Sequence, residues 1–266
     1  MLGAISGDII GSRFEAWPIK RKDFQLFTGN SRFTDDSVLT LALADSLLHN
    51  VPYSQNLKTF FLRYPSAGYG GTFALWAASK QSEPYYSFGN GSAMRVSPVG
   101  WYFHDPKAVL EQAGASAAVT HNHPEGIKGA QAVALGVFLA RQGWDKKNIK
   151  ERIQTELGYN LSISLEDIRP EYSFDVTCQG SVPQAIVAFL ESADFEDAVR
   201  NAVSLGGDSD TQACMAGALA EAFYGGVPQD VARESLTRLD DFLRSIVYSF
   251  YSRVIPGLEL PRLGQA

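Results

Sequence analysis

The 266-residue chain has very little of what builds a disulfide scaffold or a thiolate metal site. Its only cysteines are Cys178 and Cys214, which lie far apart in the sequence and belong to no paired-spacing motif. A disulfide-stapled fold and a thiolate zinc site are therefore excluded, and the composition is typical of a reducing compartment. The first fifteen residues show no basic leader before an apolar run, so we expect no signal peptide and a cytoplasmic location.

Long apolar runs and basic blocks are also missing. No stretch approaches the roughly 20 uncharged apolar residues that a membrane helix needs, so no membrane partner is expected. The chain has 23 Lys+Arg against 29 Asp+Glu, a formal charge of −6, and its one basic cluster, residues 20–22, is typical of a solvated loop. This balance disfavours electrostatic binding to nucleic acid or anionic lipid.

Strand signals are few, because residues 96–103 and 161–165 alternate only weakly and no strand-then-helix rhythm repeats. Three- and four-residue spacing of apolar residues instead predicts helices. Small residues in the predicted helix 211–224 would let helix axes approach closely. We therefore expect one all-α domain over residues 1–266, a compact multi-helix bundle with a loosely held tail from Ile255. The predicted helices span residues 37–49, 72–80, 106–119, 125–142, 182–192, 195–205, 211–224 and 228–252.

No GxSxG, HExxH, GxxxxGK[ST] or GxGxxG motif is present, but two short acidic clusters resemble each other. The sequence FTDDS at 33–37 leads into the predicted helix 37–49, and GGDSDT at 206–211 leads into the helix 211–224. Capping is one interpretation, since Asp, Ser and Thr accept hydrogen bonds from free amides at a helix N-terminus. One cap, however, needs one side chain, and each cluster supplies three such oxygens.

Metal binding is the second interpretation of these clusters. Residues one or two apart diverge on a regular helix, so the carboxylates converge only if they lie on an irregular turn, for which Gly206 and Gly207 give the backbone freedom. Four gathered carboxylates would repel one another unless a divalent cation were bound. Oxygen ligands without sulfur or imidazole indicate magnesium or manganese rather than calcium.

Two polar segments lie between the clusters. The sequence SFGNGSAMR at 87–95 exposes backbone amides that suit a phosphate or diphosphate, with Arg95 nearby, although Gly-Asn-Gly is also an ordinary turn. The sequence THNHP at 120–124 forms a polar turn in which His121 and His123 cannot share one helix face, so one of them is expected to be exposed. The region 51–86, which carries five tyrosines, is expected to line the mouth of a cleft.

Five motifs in order carry a family resemblance: Gly7-Asp8 with Glu15, Thr34-Asp35-Asp36, GNGSAMR at 89–95, Thr120-His121, and GGDSDT at 206–211. Over about residues 2–226 the chain resembles the ADP-ribosylglycohydrolase family. The resemblance implies an all-α fold with a cleft that holds two Mg²⁺ ions, or Mn²⁺. The implied metal ligands are Thr34, Asp35, Asp36, Asp208, Asp210 and Thr211.

The resemblance also implies the other residues of the site. Glu15 matches a glutamate beside the metals, and Glu15 or Asp36 would act as general base or assist the leaving group. Asp8 is expected to support helix packing rather than to bind metal. The implied substrate-binding residues are Ser87, Asn90 and Gly91 at the diphosphate, Phe88 at the adenine, and His121 near the phosphate and ribose.

The implied reaction is hydrolysis of the glycosidic bond between ADP-ribose and an acceptor, with the metals positioning ribose hydroxyls and a water. The implied partner is an ADP-ribosylated protein or a small ADP-ribose conjugate, and nucleic acid only as a modified substrate. The acceptor stays open among arginine, serine, O-acetyl, poly(ADP-ribose) and nucleobase linkages, with Glu15 leaning toward the serine and O-linked type. A non-catalytic ADP-ribose-binding or structural protein and a dinuclear-metal phosphohydrolase are the alternatives.

Overall fold

A computed structural model describes residues 1–263 of the chain, and in that part it is built from helices. One isolated antiparallel bridge, between Gly89 and Thr177, is the sole β pairing among these residues, so the predicted all-α class is confirmed. The helices are α1 (Leu2–Gly11), α2 (Asp35–His49), α3 (Tyr53–Arg63), α4 (Gly71–Ala78), α5 (Gly91–Met94), α6 (Ser97–Tyr102), α7 (Pro106–Ala118), α8 (Pro124–Arg141), α9 (Lys146–Leu157), α10 (Leu165–Ile168), α11 (Cys178–Leu190), α12 (Phe195–Val203), α13 (Ser209–Tyr224), α14 (Gln229–Thr237) and α15 (Asp241–Val254).

The centre of the molecule is the closely packed pair α1 and α13. Every residue of α1 is buried, and so is α13 from Ser209 to Ala222. Three glycines of α1 face the α13 backbone: a Cβ added at Gly3 or Gly7 would lie 2.3 or 2.0 Å from a carbonyl oxygen of α13. The small residues predicted to let helix axes approach therefore do so here. The pairing fixes the N-terminal end of α13 beside the C-terminal half of α1.

Two predicted helices differ from the structure by more than two residues or by a division, whereas the others agree within two residues at each end. The helix expected over 182–192 begins at Cys178, because Thr177 caps it by accepting from the Gly180 amide, and Pro183 lies inside it. The helix expected over 228–252 is divided into α14 and α15. The division occurs because Asp240 caps a new helix by accepting from the Leu243 amide.

The ends of the chain need one correction and one addition. The tail was expected to be loosely held, but Ile255 is buried, Leu258 packs against the core, and the carbonyl of Pro261 accepts from the Tyr248 hydroxyl at 2.9 Å. Residues 264–266 of the expected extension lie outside the described part. Within residues 1–263, none of the helices combines the length and apolar character required to cross a bilayer.

Candidate metal centre and substrate cavity

The first acidic cluster forms the N-terminal end of α2. Thr34 is the N-cap residue, and its hydroxyl oxygen accepts from the Asp36 amide at 3.3 Å. Asp8 of α1 accepts from the amides of Thr34 and Ser37 at 2.9 and 3.1 Å, and from the Thr34 hydroxyl at 2.7 Å. Capping therefore holds for Thr34, with Asp8 in support, while the carboxylates of Asp35 and Asp36 make no capping bond.

The position of this cluster differs from the one expected. Asp35 and Asp36 lie in the first regular turn of α2 rather than on an irregular turn before the helix. Asp36 is buried and Asp35 is partly exposed, yet both carboxylates line the same cavity. They converge with the second cluster because two helix N-termini meet, and this geometry does not need a distorted backbone.

The second cluster enters α13 through the expected flexible turn. Gly206 has a φ of +68°, which favours glycine, and Asp208 is the N-cap residue of α13 without a side-chain capping bond. Asp210 accepts from the Thr211 amide at 3.0 Å, which is a capping contact within the first turn. Asp208 instead accepts from the side-chain amide of Asn90 at 2.8 Å.

The two clusters meet in space. The Thr211 hydroxyl donates to Oδ2 of Asp36 at 3.3 Å, across 175 positions of sequence. Carboxylate oxygens of Asp8, Asp36 and Asp210 all lie within 4.8 Å of one another, and so do those of Glu15, Asp208 and Asp210. The structure thus brings together Glu15, Asp36, Asp208 and Asp210 and adds Asp8 to the group, while Asp35 lines the same cavity outside these two clusters.

Burial and mutual repulsion make these carboxyl groups weaker acids than usual, because both effects raise their pKa values. Loss of water, followed by the charge of Asp8, raises the pKa of Asp35 to about 8, and burial raises the pKa of Asp8 to about 6 against its four hydrogen bonds. The pKa values of Asp36 and Asp210 lie well above the ordinary value for the same two reasons, burial first. Oδ1 of Asp36 is buried and has no hydrogen-bond partner. A set of crowded oxygens with an orphaned acceptor fits a hard divalent cation.

The acidic group forms one side of a cavity of about 480 Å³. Glu15 lies exposed at its rim, where burial and the Asp208 charge raise its pKa and Arg32 opposes the shift. Most of the predicted site residues line the cavity. These are Glu15, Thr34, Asp35, Asp36, Ser87, Asn90, Gly91, His121, Asp208, Asp210 and Thr211.

The glycine-rich segment lines the same cavity as the acidic residues but is less open than expected. Asn90 and Gly91 begin the short helix α5, and the buried Asn90 amide is committed to Asp208 and to the Ser181 hydroxyl, at 2.8 and 3.2 Å. The Ser87 hydroxyl oxygen accepts from the Gly89 amide at 3.1 Å. Phe88 is outside the cavity lining, 45% exposed, with its ring 5.4 Å from that of His123.

Arg95 is not the open phosphate ligand that its position in the sequence indicated. Its side chain is fully buried, and Nη2 donates to the Ser116 carbonyl at 3.1 Å and to the Thr120 hydroxyl at 2.8 Å. His121 is buried against the cavity, whereas His123 is partly exposed and caps α8 by accepting from the Glu125 amide at 3.1 Å. One of the two histidines is therefore at the surface, as expected.

Several lining residues were missed by sequence reasoning. Among the five tyrosines of region 51–86, Tyr85 alone lines the cavity, together with the glycine-rich loop before α4. The Gly-Tyr-Gly-Gly run of that loop, residues 68–71, was a usable signal, since such a run indicates close backbone approach. Arg32, Phe174 and Val176 lie on irregular segments with no motif to mark them.

Comparison with known proteins agrees on one family. A family model described as ADP-ribosylglycohydrolase matches residues 1–255. The chain is 27% identical to ADP-ribosylhydrolase ARH3 of Danio rerio, over 94% of this chain and 89% of that protein, and 27% identical to human ARH3, over 85% and 84%. It is 25% identical to ADP-ribosylarginine hydrolase Tri1 of Pseudomonas putida, over 86% and 71%. A solved structure described as an ADP-ribosylglycohydrolase-related protein complex superposes with a TM-score of 0.72 at 25% identity, covering 94% of this chain and 95% of that one.

Proposed function

This chain belongs to the ADP-ribosylglycohydrolase family and is a glycohydrolase enzyme, and we propose that it hydrolyses the bond between ADP-ribose and an acceptor. The observation that carries the proposal is the meeting of two acidic helix N-termini in a cavity that the glycine-rich segment also lines. An ADP-ribose conjugate has a ribose that suits the acidic residues and a diphosphate that suits the glycine-rich segment. The substrate would be an ADP-ribosylated protein or a small conjugate.

The residues that would hold two Mg²⁺ or Mn²⁺ ions are the six that the family resemblance implies: Thr34, Asp35, Asp36, Asp208, Asp210 and Thr211. Among them, Asp36, Asp208 and Asp210 have clustered carboxylate oxygens, and Asp8 accepts from the Thr34 hydroxyl. When bound, such ions offset the acidic charge and act as Lewis acids toward ribose and water oxygens. The raised pKa values of Asp35 and Asp36 would then fall, because the cation stabilises the ionised carboxylates.

The chain's own groups would handle protons at the bond that breaks. Cleavage at the anomeric carbon builds positive, oxocarbenium-like charge on the ribose, which the surrounding carboxylates stabilise. Glu15 is exposed at the rim within reach of Asp208 and Asp210, so its carboxylate would accept a proton from the attacking water or assist the departing acceptor. Asp36, whose Oδ1 is without a partner, is the second candidate for this role.

The glycine-rich segment and His121 would bind the diphosphate and adenine parts of the substrate. The backbone and side chains of Ser87 and Gly91 would contact the diphosphate, with the His121 ring beside them. The exposed Phe88 ring would lie against the adenine where that base leaves the cavity. Asn90 would contribute through its hold on Asp208, besides any contact with substrate.

The first test measures release of ADP-ribose from an ADP-ribosylated protein, with added Mg²⁺ or Mn²⁺ and with EDTA. We expect activity that EDTA abolishes and that the metal restores. Asp210→Asn should lose more than about 100-fold in rate together with metal affinity, since it removes one charged ligand. Glu111→Gln, at an exposed position on α7, is the matched control and should behave like the unsubstituted protein. Full activity in EDTA would overturn the metal-dependent mechanism.

A second experiment addresses the acceptor and the alternatives. The relatives' names include an ADP-ribosylarginine hydrolase, while Glu15 leans toward serine and O-linked substrates. A screen of arginine-, serine- and O-acetyl-linked ADP-ribose, with poly(ADP-ribose) and modified nucleobases, separates these classes by rate. Phosphoester hydrolysis without glycosidic cleavage would favour the phosphohydrolase, and binding of ADP-ribose without turnover would favour the non-catalytic protein. The cytoplasmic location also stays a proposal, testable by cell fractionation.

A further inference from the structure

The ring of His121 has one nitrogen held by the protein and one facing the cavity. Nδ1 lies 2.7 Å from the Thr120 hydroxyl oxygen. Nε2 lies at the glycine-rich segment, where a Cβ added at Gly91 would be 3.2 Å away and one added at Gly89 would be 3.5 Å away. Nδ1 is therefore held by the protein, and Nε2 faces the cavity. Whether Nε2 donates or accepts a hydrogen bond depends on which of the two nitrogens carries the proton.

The surroundings of the Thr120 hydroxyl decide that question. Arg95 Nη2 donates to this oxygen at 2.8 Å, and a guanidinium has no acceptor to offer in return. The hydroxyl has two acceptors within reach, the Tyr85 phenol oxygen and His121 Nδ1, which lies 2.7 Å away. An unprotonated imidazole nitrogen is a stronger acceptor than a phenol oxygen, so we assign the hydroxyl proton to the contact with Nδ1.

Arg95 is positioned for this contact by its burial and by the hydrogen bonds of Nη2. It is fully buried, and its Nη2 is further tied to the Ser116 carbonyl near the end of α7 at 3.1 Å. Burial, and then the nearby Arg95 charge, keep the pKa of His121 well below its usual value, so the ring holds a single proton. A neutral ring that accepts at Nδ1 must donate at Nε2.

We propose that Arg95 and Thr120 are positioning residues that hold His121 as the Nε2–H tautomer, so that the ring donates a hydrogen bond to a diphosphate oxygen of the substrate. The tautomer is inferred from the contacts of Thr120 in the ligand-free structure, and only the identity of the acceptor rests on the proposed function. A donor is the useful choice here, since a phosphate oxygen accepts hydrogen bonds and an unprotonated Nε2 would repel it.

The decisive measurement is the tautomer in the free protein. The chain has four histidines, so ¹⁵N-histidine labelling and long-range ¹H–¹⁵N correlation resolve them, with His121→Gln giving the assignment. We expect His121 as Nε2–H in the unsubstituted protein and in Thr120→Ser, which keeps the hydroxyl. Thr120→Val keeps the shape and removes the hydroxyl, and it should show a mixture of tautomers. Tyr85→Phe should keep the Nε2–H form.

Binding of ADP-ribose, measured by calorimetry, is the second readout. Thr120→Val should weaken binding about tenfold, the loss of one hydrogen bond to a charged group, while Thr120→Ser stays within about twofold. An Nδ1–H tautomer in the unsubstituted protein, or an unchanged tautomer and affinity in Thr120→Val, would overturn the proposal. If ADP-ribose does not bind at all, the proposed function fails, but the spectra still decide the tautomer.

Discussion

At the scale of single residues, the side-chain amide of Asn90 connects the glycine-rich segment to the acidic cluster. It donates to Asp208 at 2.8 Å, and the Asn90 backbone amide donates to the Val176 carbonyl at 2.8 Å. Burial raises the pKa of Asp208, whereas hydrogen bonds with Asp210, Asn90 and Thr211 lower it. Asn90, which the family motif assigns to the substrate, therefore also favours the ionised form of Asp208, a candidate metal ligand.

Asn90→Asp tests this role, because it replaces a donor with a second carboxylate against Asp208. We expect Mn²⁺ affinity and the rate of ADP-ribose release to fall by about 10- to 100-fold, as when outer partners of metal ligands are removed. Ser181→Ala is the control, since it removes the other partner of the same amide and leaves the contact with Asp208. Equal losses in both variants would mean that general packing, rather than the contact with Asp208, explains the effect.

At the scale of elements, the sequence revealed both two-faced helices and the almost wholly buried α13, but it missed α3 and α9, which each have a buried and an exposed face. The starts of α2 and α13 were placed within two residues, and the paired acidic clusters identified where they meet. Helix α1 was also missed; all ten of its residues are buried, so it has no amphipathic pattern, and no acidic cluster precedes it as one precedes α13. Distances in the site depend on how α1, α2 and α13 pack, and a linear pattern does not contain that information.

The spacing of α1 and α13 should be sensitive to one methyl group. Gly7→Ala would place a Cβ 2.0 Å from the Ala213 carbonyl oxygen, so the helices must separate. We expect the free energy of unfolding, measured in urea, to fall by about 1–3 kcal/mol, and metal affinity to fall with it because Asp8 and Asp210 move apart.

Gly114→Ala is the matched control for this change. Gly114 also lies within a helix, but the nearest atoms to an added Cβ are 3.5 Å away, an ordinary contact distance. This substitution should raise the free energy of unfolding by up to about 1 kcal/mol, through helix propensity. A Gly7→Ala protein as stable as the control would show that the two helices can separate without cost.

At the scale of the whole molecule, the acidic site opposes folding unless its charge is offset. Folding takes Asp8, Asp35, Asp36 and Asp210 out of water and places them side by side, which raises all four pKa values. The four mutually repelling carboxyl groups therefore lie next to the closely packed helices α1 and α13. Bound cations, or protons in their absence, are the two ways to remove the repulsion.

The metal-free protein should therefore lose stability as pH rises. The ordinary pKa of an aspartate is 3.8, whereas the folded-state pKa is about 6 for Asp8 and about 8 for Asp35. Below pH of about 4 both states are protonated and there is no penalty. Above it the unfolded chain releases protons that the folded chain keeps, so the free energy of unfolding falls as pH rises. Each carboxyl contributes about 1.4 kcal/mol per pH unit until pH passes its folded-state pKa, about 6 for Asp8 and about 8 for Asp35.

Urea unfolding of EDTA-treated protein between these limits measures the slope, and Asp35→Asn isolates one contribution to it. The variant should fall less steeply than the unsubstituted protein up to pH of about 8, because it has one fewer carboxyl whose pKa folding raises. Saturating Mg²⁺ should flatten the slope of the unsubstituted protein, since the cation takes the place of the protons and favours the ionised carboxylates. A slope that Mg²⁺ leaves unchanged would mean that the clustered carboxylates do not bind the ion, and the metal-dependent mechanism would fail with it.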